Sequence, residues 1–304
     1  MALKLIPQAV AYKMVLPESA DALAAHLKPF EFKEIKAHEA RSIGFTEVQG
    51  ELVFPFPGGY AFALRIDAKV VPGSLVKAEV ARAADFFEEC EGYRPGRKVM
   101  REFKERVIGE LTAKALTSTK TVYALYHLAS QTLIVPNTSE RVRGDLTGLL
   151  LRAVESIKVT TIYLSSAKAS LTNRLELTLN GFDDQFGEFQ SGNKVVLVGP
   201  NGKSAFDLAG DLDNASAGVR EAIAGGALVK EIALSKGDTL HFRLTQDFAL
   251  KGITFGESEP EEGYDDQRTA FEMEAAKQTT EVVALVDDLC ALFGYTPKFE
   301  GEEA

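Results

Sequence analysis

Cysteine is almost absent from this sequence: its 304 residues include only Cys90 and Cys290, and neither is part of a Cys-x-x-Cys pair. So few cysteines cannot build a disulfide framework or a zinc site, and they are typical of a reducing compartment. The sequence also has only four histidines, His26, His38, His127 and His241. Because none is spaced from another ligand as metal sites require, we predict no metal and no cofactor.

Long apolar segments are missing as well. No uncharged apolar run reaches the ~20 residues that a membrane helix needs. Lys4, Pro7 and Lys13 interrupt the apolar residues of the amino terminus, which therefore does not resemble a signal peptide. We expect a cytoplasmic protein without a membrane partner.

Charge is unevenly distributed along the chain. The net charge of −10 argues against a nucleic-acid partner at first. From Gly256 onward, however, fourteen acidic residues face three basic ones, so the preceding 255 residues are close to neutral. Between Gly92 and Lys120, three acidic residues oppose eight basic ones: Arg94, Arg97, Lys98, Arg101, Lys104, Arg106, Lys114 and Lys120. This polarity fits a polyanion partner, although long helices with solvated charged faces would also produce it.

Residue periodicity predicts an α+β fold with an antiparallel sheet. Apolar alternation indicates strands over 10–16, 41–48, 51–56 and 60–70, followed by a helical hairpin over 73–116. Gly92 and Gly96 bound its turn, and its second helix has Met100, Phe103, Val107 and Leu111 on one face. We further predict strands over 122–128, 132–135 and 159–164, and a helix over 139–157.

The pattern of the remaining residues, 166–304, predicts a second group of strands and a long last helix. Residues 170–179 fit a helix or a strand, of which we favour the helix. We expect a helix over 215–224 and three antiparallel strands over 228–234, 239–246 and 249–255. Apolar residues at helical spacing predict the last helix over 265–293. These elements suggest a central β-rich domain (1–72 and 117–165), a tip hairpin (73–116) and a base domain (166–304).

Gly199-Pro-Asn-Gly-Lys-Ser204 looks like a nucleotide-binding loop. A phosphate-binding loop, however, needs four residues between its first glycine and Gly-Lys-Ser, and this one has two. A strand-like segment follows it, so no helix amino terminus is available to a phosphate. We interpret the segment as a tight hairpin turn.

Two acidic pairs could be imagined as a nuclease metal site: Asp183–Asp184, and Asp265–Asp266 near Glu259, Glu261 and Glu262. The first lies in a turn-like stretch. The second precedes a helix, where carboxylates stabilise the helix dipole. We therefore predict no catalytic residue.

The basic helix is more informative. At 100° per residue, Arg97, Arg101 and Lys104 fall within about 60° of one another, beside the apolar face. Positive charges near a helix amino terminus oppose its dipole, so local stability does not account for them. Phosphate contacts would give binding that is independent of sequence and weakens with salt. Few aromatic residues accompany these cations, which favours duplex over single-stranded DNA.

Several blocks of the sequence resemble the RdgC family of recombination-associated proteins. They are Lys69–Val76, Gly96–Leu111, Ala224–Leu234, Lys251–Phe255 and Phe271–Gly294, in the same order and over essentially the whole chain. The resemblance implies a ring-shaped homodimer with duplex DNA passing through a basic channel. It also implies a nucleoid-associated, non-catalytic protein that restrains RecA.

On this hypothesis the eight basic residues from Arg94 to Lys120 would contact DNA. Lys69, Lys77 and Arg82 would add further contacts. The sequence departs from the family at two places. Gly210–Asp213 replaces a basic or amide gate residue, and Leu116 aligns near an aromatic residue of the tip. Lys203, Arg220 and Lys230 could supply compensating charge at the gate.

Two other classes of function stay open at this point. One is a nucleotide hydrolase or nuclease that uses Gly199–Ser204 or the acidic pairs. The other is an oligomeric scaffold with a protein partner, in which the hairpin and the acidic last helix pair between subunits. Binding of ATP or magnesium-dependent nicking of DNA would support the enzyme, and DNA affinity that is absent or indifferent to salt would support the scaffold.

Overall fold

The structure is a computed structural model. It describes residues 3–154, 159–161, 167–182, 185–200, 202–207, 212–256 and 266–295.

Strands in these ranges form one large antiparallel sheet. They are β1 (Gln8–Met14), β2 (Arg41–Thr46), β3 (Val53–Phe56), β4 (Gly59–Lys69), β5 (Thr117–His127), β6 (Thr132–Val135), β7 (Val159–Thr161), β8 (Phe189–Gly199), β9 (Gly202–Asp207), β10 (Leu228–Lys236), β11 (Leu240–Thr245) and β12 (Leu250–Thr254). Their order across the sheet is β2-β4-β5-β6-β1-β12-β11-β10-β8-β9, with β3 paired to β4 and β7 paired to β1.

Seven helices accompany the sheet in the described part of the chain. They are α1 (Ala20–Leu27), α2 (Gly73–Glu91), α3 (Arg97–Lys114), α4 (Glu140–Ala153), α5 (Ala167–Leu179), α6 (Leu212–Ala224) and α7 (Gln267–Leu292). None of the helices in these residues is long and apolar enough to cross a membrane.

Strand β4 shows how the sequence distributes its helices over the two faces of the sheet. Its alternate residues Tyr60, Phe62 and Leu64 are large and belong to a core that includes buried residues of α1 and α4. The intervening Ala61 and Ala63 are small and belong to a second core, which includes α7. Because successive strand residues point to opposite faces, one strand supports both layers.

The second core continues into the group of strands β8–β12, which we call the base sheet. Helices α5, α6 and α7 cover one face of the base sheet, where Ile232, Leu234 and Phe242 are buried. β1 joins the two parts of the sheet, since Gln8 pairs with Lys251 of β12. This core therefore crosses the predicted domain boundary near residue 165, and the three-domain division stays a prediction.

Most predicted elements are confirmed, among them the helical hairpin, the helix at 170–179, the three strands β10–β12 and the long last helix. The helix predicted over 139–157 ends earlier, at Ala153, because Val154 adopts an extended backbone (φ −114°, ψ 94°). The strand predicted over 159–164 is described for three residues, and the rest lies outside the described residues. The fold class is thus α+β, as predicted.

Candidate nucleic-acid interface

The hairpin of α2 and α3 is closed by a glycine and three aromatic rings. Gly92 ends α2 with a left-handed backbone (φ 77°), and its N–H donates to the carbonyl of Glu88 at 2.9 Å. The ring of Phe87 lies edge-on to Tyr93 and Phe103, with centroid distances of 5.6 and 5.9 Å. These contacts fix the turn that precedes the basic helix α3.

The opposite end of the hairpin is tied to the sheet. The N–H of Val70 donates to the carbonyl of Leu116 at 3.0 Å. Lys69, one of the predicted DNA contacts, is half-buried and donates from Nζ to the carbonyl of Ala115 at 3.2 Å. A cation at a helix carboxyl terminus stabilises the last turn, so Lys69 has a structural partner here.

Arg97, Arg101 and Lys104 are exposed on one flank of α3. They lie about 40–100° around the helix from Met100, so they run beside the face that packs on α2. Arg101 pairs with Glu105 at 2.9 Å. Within the described residues, Arg97 and Lys104 have no carboxylate at ion-pairing distance. The first turn of α3 has no acidic residue and no side-chain cap. We call Arg97, Arg101 and Lys104 the basic flank.

Other predicted contacts lie around the hairpin with different surroundings. Arg94 pairs with Glu88 at 3.1 Å, and Arg82 pairs with Glu79 at 2.7 Å. Arg106 lies over the ring of Phe103 at 5.3 Å and is roughly 140–180° around α3 from the basic flank. The remaining predicted cations are exposed and form no ion pair with a described residue: Lys77, Lys98, Lys114 and Lys120.

Charge is segregated between the two helices of the hairpin. α2 carries five acidic and two basic residues, whereas α3 carries six basic and three acidic residues. A polyanion would therefore be attracted to α3 and repelled by α2. This contrast concentrates the candidate interface on the basic flank.

Exposed apolar residues are also concentrated on the hairpin. Six of the twelve exposed large apolar residues of the described chain lie in or directly beside it: Val70, Leu75, Phe86, Tyr93, Ile108 and Leu116. Clusters of exposed apolar side chains mark surfaces that bind another molecule. Leu116, the position aligned near the family's tip aromatic, is the most exposed of them at 84%.

The predicted turn at Gly199–Ser204 is confirmed. Gly199 of β8 pairs with Gly202 of β9, so the two strands form a tight hairpin. Lys203 and Ser204 belong to β9 and not to a helix. A phosphate would find no helix amino terminus at this position.

Where the structure describes them, Asp266 and His127 have local hydrogen-bond partners. Asp266 is the N-cap of α7, and the hydrogen bond that it accepts from Thr269 N at 2.7 Å lowers the pKa of Asp266. Asp183, Asp184 and Asp265 lie outside the described residues. His127 contacts Ser130 Oγ through Nδ1 at 2.8 Å, and burial lowers its pKa. In the described ranges no three His, Cys, Asp or Glu side chains are grouped as metal ligands.

Of the positions considered for the gate, Gly210 and Asp211 lie outside the described residues, and α6 begins at Leu212. Arg220 of α6 donates to the carbonyl of Leu179 at the end of α5. Its helix covers the buried face of the base sheet, so Arg220 is remote from Lys203 on the opposite face. Lys230 is the exposed extra residue of a bulge in β10.

One group of cations was missed by sequence analysis. Arg243 of β11 lies directly opposite Lys251 of β12, and both donate to Glu231 of β10. Apolar alternation in these strands could have placed Arg243 and Lys251 outside the core. Their juxtaposition needs the strand register, which a single sequence does not reveal.

Comparison with known proteins agrees with the resemblance in the sequence. A family model described as "Putative exonuclease, RdgC" matches residues 6–296. The chain is 25% identical over 290 residues to a recombination-associated protein RdgC of Paraburkholderia phymatum, covering 91% of each chain. It is 24% identical over 285 residues to that of Bordetella pertussis, covering 91% of this chain and 93% of the relative. It is 28% identical over 242 residues to that of Cupriavidus pinatubonensis, covering 77% and 78%. The family match spans nearly all of the sequence, and the chain belongs to the RdgC family.

Proposed function

We propose that this chain is a non-catalytic protein of homologous recombination that binds duplex DNA without reading its sequence. The observation that carries the proposal is the basic flank of α3, where Arg97, Arg101 and Lys104 are exposed together. Arginine and lysine side chains on one exposed surface contact phosphates but carry no information about bases. The relatives' name, recombination-associated protein, supports a role in recombination.

The proposal includes a ring-shaped homodimer with the basic flanks of two copies facing a shared channel. Exposed apolar residues of the hairpin, such as Phe86 (68% exposed) and Tyr93 (60%), support an interface with a second copy there. DNA held in such a channel would be occupied along its length, and strand exchange by RecA would be restrained at that duplex. The protein would act in the cytoplasm on the nucleoid.

Salt dependence tests the DNA-binding part of the proposal. If two basic flanks contact six phosphates, the plot of log binding constant against log salt should have a slope of about −5. Fluorescence anisotropy with two labelled linear duplexes of unrelated sequence measures this slope, and both duplexes should give the same affinity. Binding that is absent or indifferent to salt would instead support the protein scaffold. Shortening of the duplex in the presence of Mg²⁺ would instead support an exonuclease, the activity that the family's description names.

Competition between linear and circular duplex DNA tests the ring separately. A closed protein ring can thread onto linear duplex through its ends, whereas a covalently closed circle has none. Linear duplex should therefore compete for bound protein more strongly than the relaxed circular form of the same DNA at equal mass. Equal competition by both forms would contradict a permanently closed ring.

A further inference from the structure

The base sheet has one open face. Helices α5, α6 and α7 pack on the face that buries Ile232 and Leu234. On the other face Lys203, Ala205 and His241 are exposed, and Arg243 keeps 40% of its side-chain area accessible. This face is the continuation of the side that α1 and α4 cover in the rest of the sheet, since Gln8 pairs with Lys251.

Three cations surround one carboxylate on this open face. Glu231 accepts from Arg243 Nη1 at 2.6 Å and from Lys251 Nζ at 3.0 Å, with 11% of its side chain exposed. Burial would raise the pKa of Glu231. The hydrogen bond from Lys251 and the charges of Lys251, Arg243 and Lys203 outweigh burial and lower it. Glu231 therefore stays ionised, and the group keeps a net charge of +2.

Local stability does not account for this arrangement. Arg243 and Lys251 are direct cross-strand neighbours, and like charges in that position destabilise a sheet. Glu231 can neutralise only one of them. Lys203, two strands away on β9, adds a further positive charge and has no ion pair with a described residue.

Arg243 is held in one orientation. Its Nη1 donates to Glu231, and the Nε–Nη2 edge of its guanidinium faces Gly252, where a Cβ would be 3.4 Å from Nε and 3.3 Å from Nη2. The absence of a side chain at Gly252 makes room for this edge. Arg243 therefore contributes a positioned positive charge to the open face and not a free bidentate fork.

The three positive charges are close together. Arg243 Nη1 and Lys251 Nζ lie 2.6 and 3.0 Å from the two carboxylate oxygens of Glu231, and the charge of Lys203 acts on the same carboxylate. The group is therefore one compact cluster of positive charge, which neighbouring phosphates of one duplex strand could approach.

We propose that Lys203, Arg243 and Lys251 form a second phosphate-contact surface for duplex DNA, with Glu231 as the positioning residue for Arg243 and Lys251. The inference rests on the proposed function and extends its DNA contact from the hairpin to the open face of the base sheet. The partner it commits to is the phosphodiester backbone, because its charge complements a net +2 surface without apolar anchors.

Neutral substitution of the cations is the direct test. Lys203→Gln breaks no described hydrogen bond, and Arg243→Gln with Lys251→Gln removes the other two charges. The single variant should lower the magnitude of the salt slope for linear duplex by about 0.9 per protein copy engaged, and the double variant by about twice that. Lys33→Gln with Lys36→Gln is the matched control, since both lysines are exposed and lie outside the base sheet. The control should bind as the unmodified protein does.

Glu231→Gln tests positioning. Diffuse electrostatic attraction predicts tighter DNA binding after loss of a carboxylate, whereas positioning predicts weaker binding because Arg243 loses its fixed orientation. We expect the dissociation constant to rise several-fold despite the added positive charge, with an unchanged dissociation constant for the Lys33/Lys36 control. Tighter binding would overturn the positioning role.

The failure of this inference can be told apart from the failure of the proposed function. If Lys203→Gln and the double variant bind duplex with unmodified affinity and slope while hairpin variants do not, the second surface is wrong and the DNA-binding protein stands. If the unmodified protein does not bind duplex at all, both are wrong. If the variants bind DNA normally but no longer form a dimer, this face would contact an acidic surface of a second copy and not DNA. That result would overturn the inference.

Discussion

The affinity of the protein for linear duplex DNA is expected to fall by about 100-fold or more when Arg97→Glu, Arg101→Glu and Lys104→Glu are combined. The change replaces three attractive charges on the basic flank by three repulsive ones in each copy. The salt slope should fall by about 3 per copy engaged, since each phosphate contact contributes about 0.9. Fluorescence anisotropy over a salt series measures both quantities.

The fold should tolerate this triple change. All three side chains are exposed, and the one described ion pair that is lost, Arg101–Glu105, is a surface pair of little energetic value. Glutamate at position 97 even suits the positive end of the dipole of α3. Circular dichroism and thermal unfolding should therefore resemble those of the unmodified protein.

A control with the same change in total charge separates the basic flank from a general charge effect. Lys33→Glu, Lys36→Glu and Arg152→Glu alter exposed positions outside the hairpin by the same six charge units. We expect only a small loss of affinity in this control. Equal losses in the two triple variants would show that net charge, and not the basic flank, determines binding.

The helical hairpin could be predicted because its signals are local. Apolar residues of α3 recur with the helical period at Met100, Phe103 and Val107, and Gly92 supplies the left-handed residue that ends α2. The acid-free first turn of α3 is visible in the sequence itself. Periodicity and turn residues are sufficient for such an element because its contacts are close along the chain.

The contribution of Lys69 could not be predicted in the same way. In the sequence it is one more cation beside the hairpin, whereas the structure shows Nζ donating to the carbonyl of Ala115. That contact depends on how closely the end of α3 approaches the end of β4. Charge alone does not distinguish a cation that stabilises a helix end from one that is available to a ligand.

Long-range pairing accounts for the rest of what sequence analysis missed. β1 pairs with β12 although more than 230 residues separate them, and this pairing joins the two parts of the sheet. The group of Glu231, Arg243 and Lys251 depends on the registers of β10, β11 and β12 together. A shift of one residue would turn Arg243 to the buried face, and nothing in one sequence fixes the register.

Helix α7 is the element that connects the two parts of the sheet through packing. Near its beginning, Phe271 lies edge-on to Phe54 of β3 with a centroid distance of 5.4 Å. Near its end, Asp288 pairs with Lys236 of β10 in the base sheet. Between them Val282, Leu285 and Val286 are buried in the shared core. One helix thus couples strands β3 and β5 to the base sheet.

Phe271→Ala is expected to lower the free energy of unfolding by about 3–5 kcal/mol. Phe271 is 3% exposed and contacts both Phe54 and Tyr123, so truncation leaves a cavity between α7 and strands β3 and β5. The loss is a large part of the 5–15 kcal/mol that is typical of total stability. Urea denaturation followed by circular dichroism measures it. Calorimetry then shows whether the variant melts in one transition or in two. Two transitions would mean that the two parts of the sheet are no longer coupled.

Met273→Ala is the control on the same helix. Met273 is 44% exposed, and alanine is a good helix former, so this change should alter stability by less than about 0.5 kcal/mol. A loss below about 1 kcal/mol in Phe271→Ala would mean that the beginning of α7 is not packed against the central strands. A large loss with a single transition would mean that the shared core unfolds as one unit, and the boundary near residue 165 would then not separate independent domains. In that case the proposed DNA-contact surfaces at the hairpin and on the base sheet would be attached to one body that unfolds cooperatively.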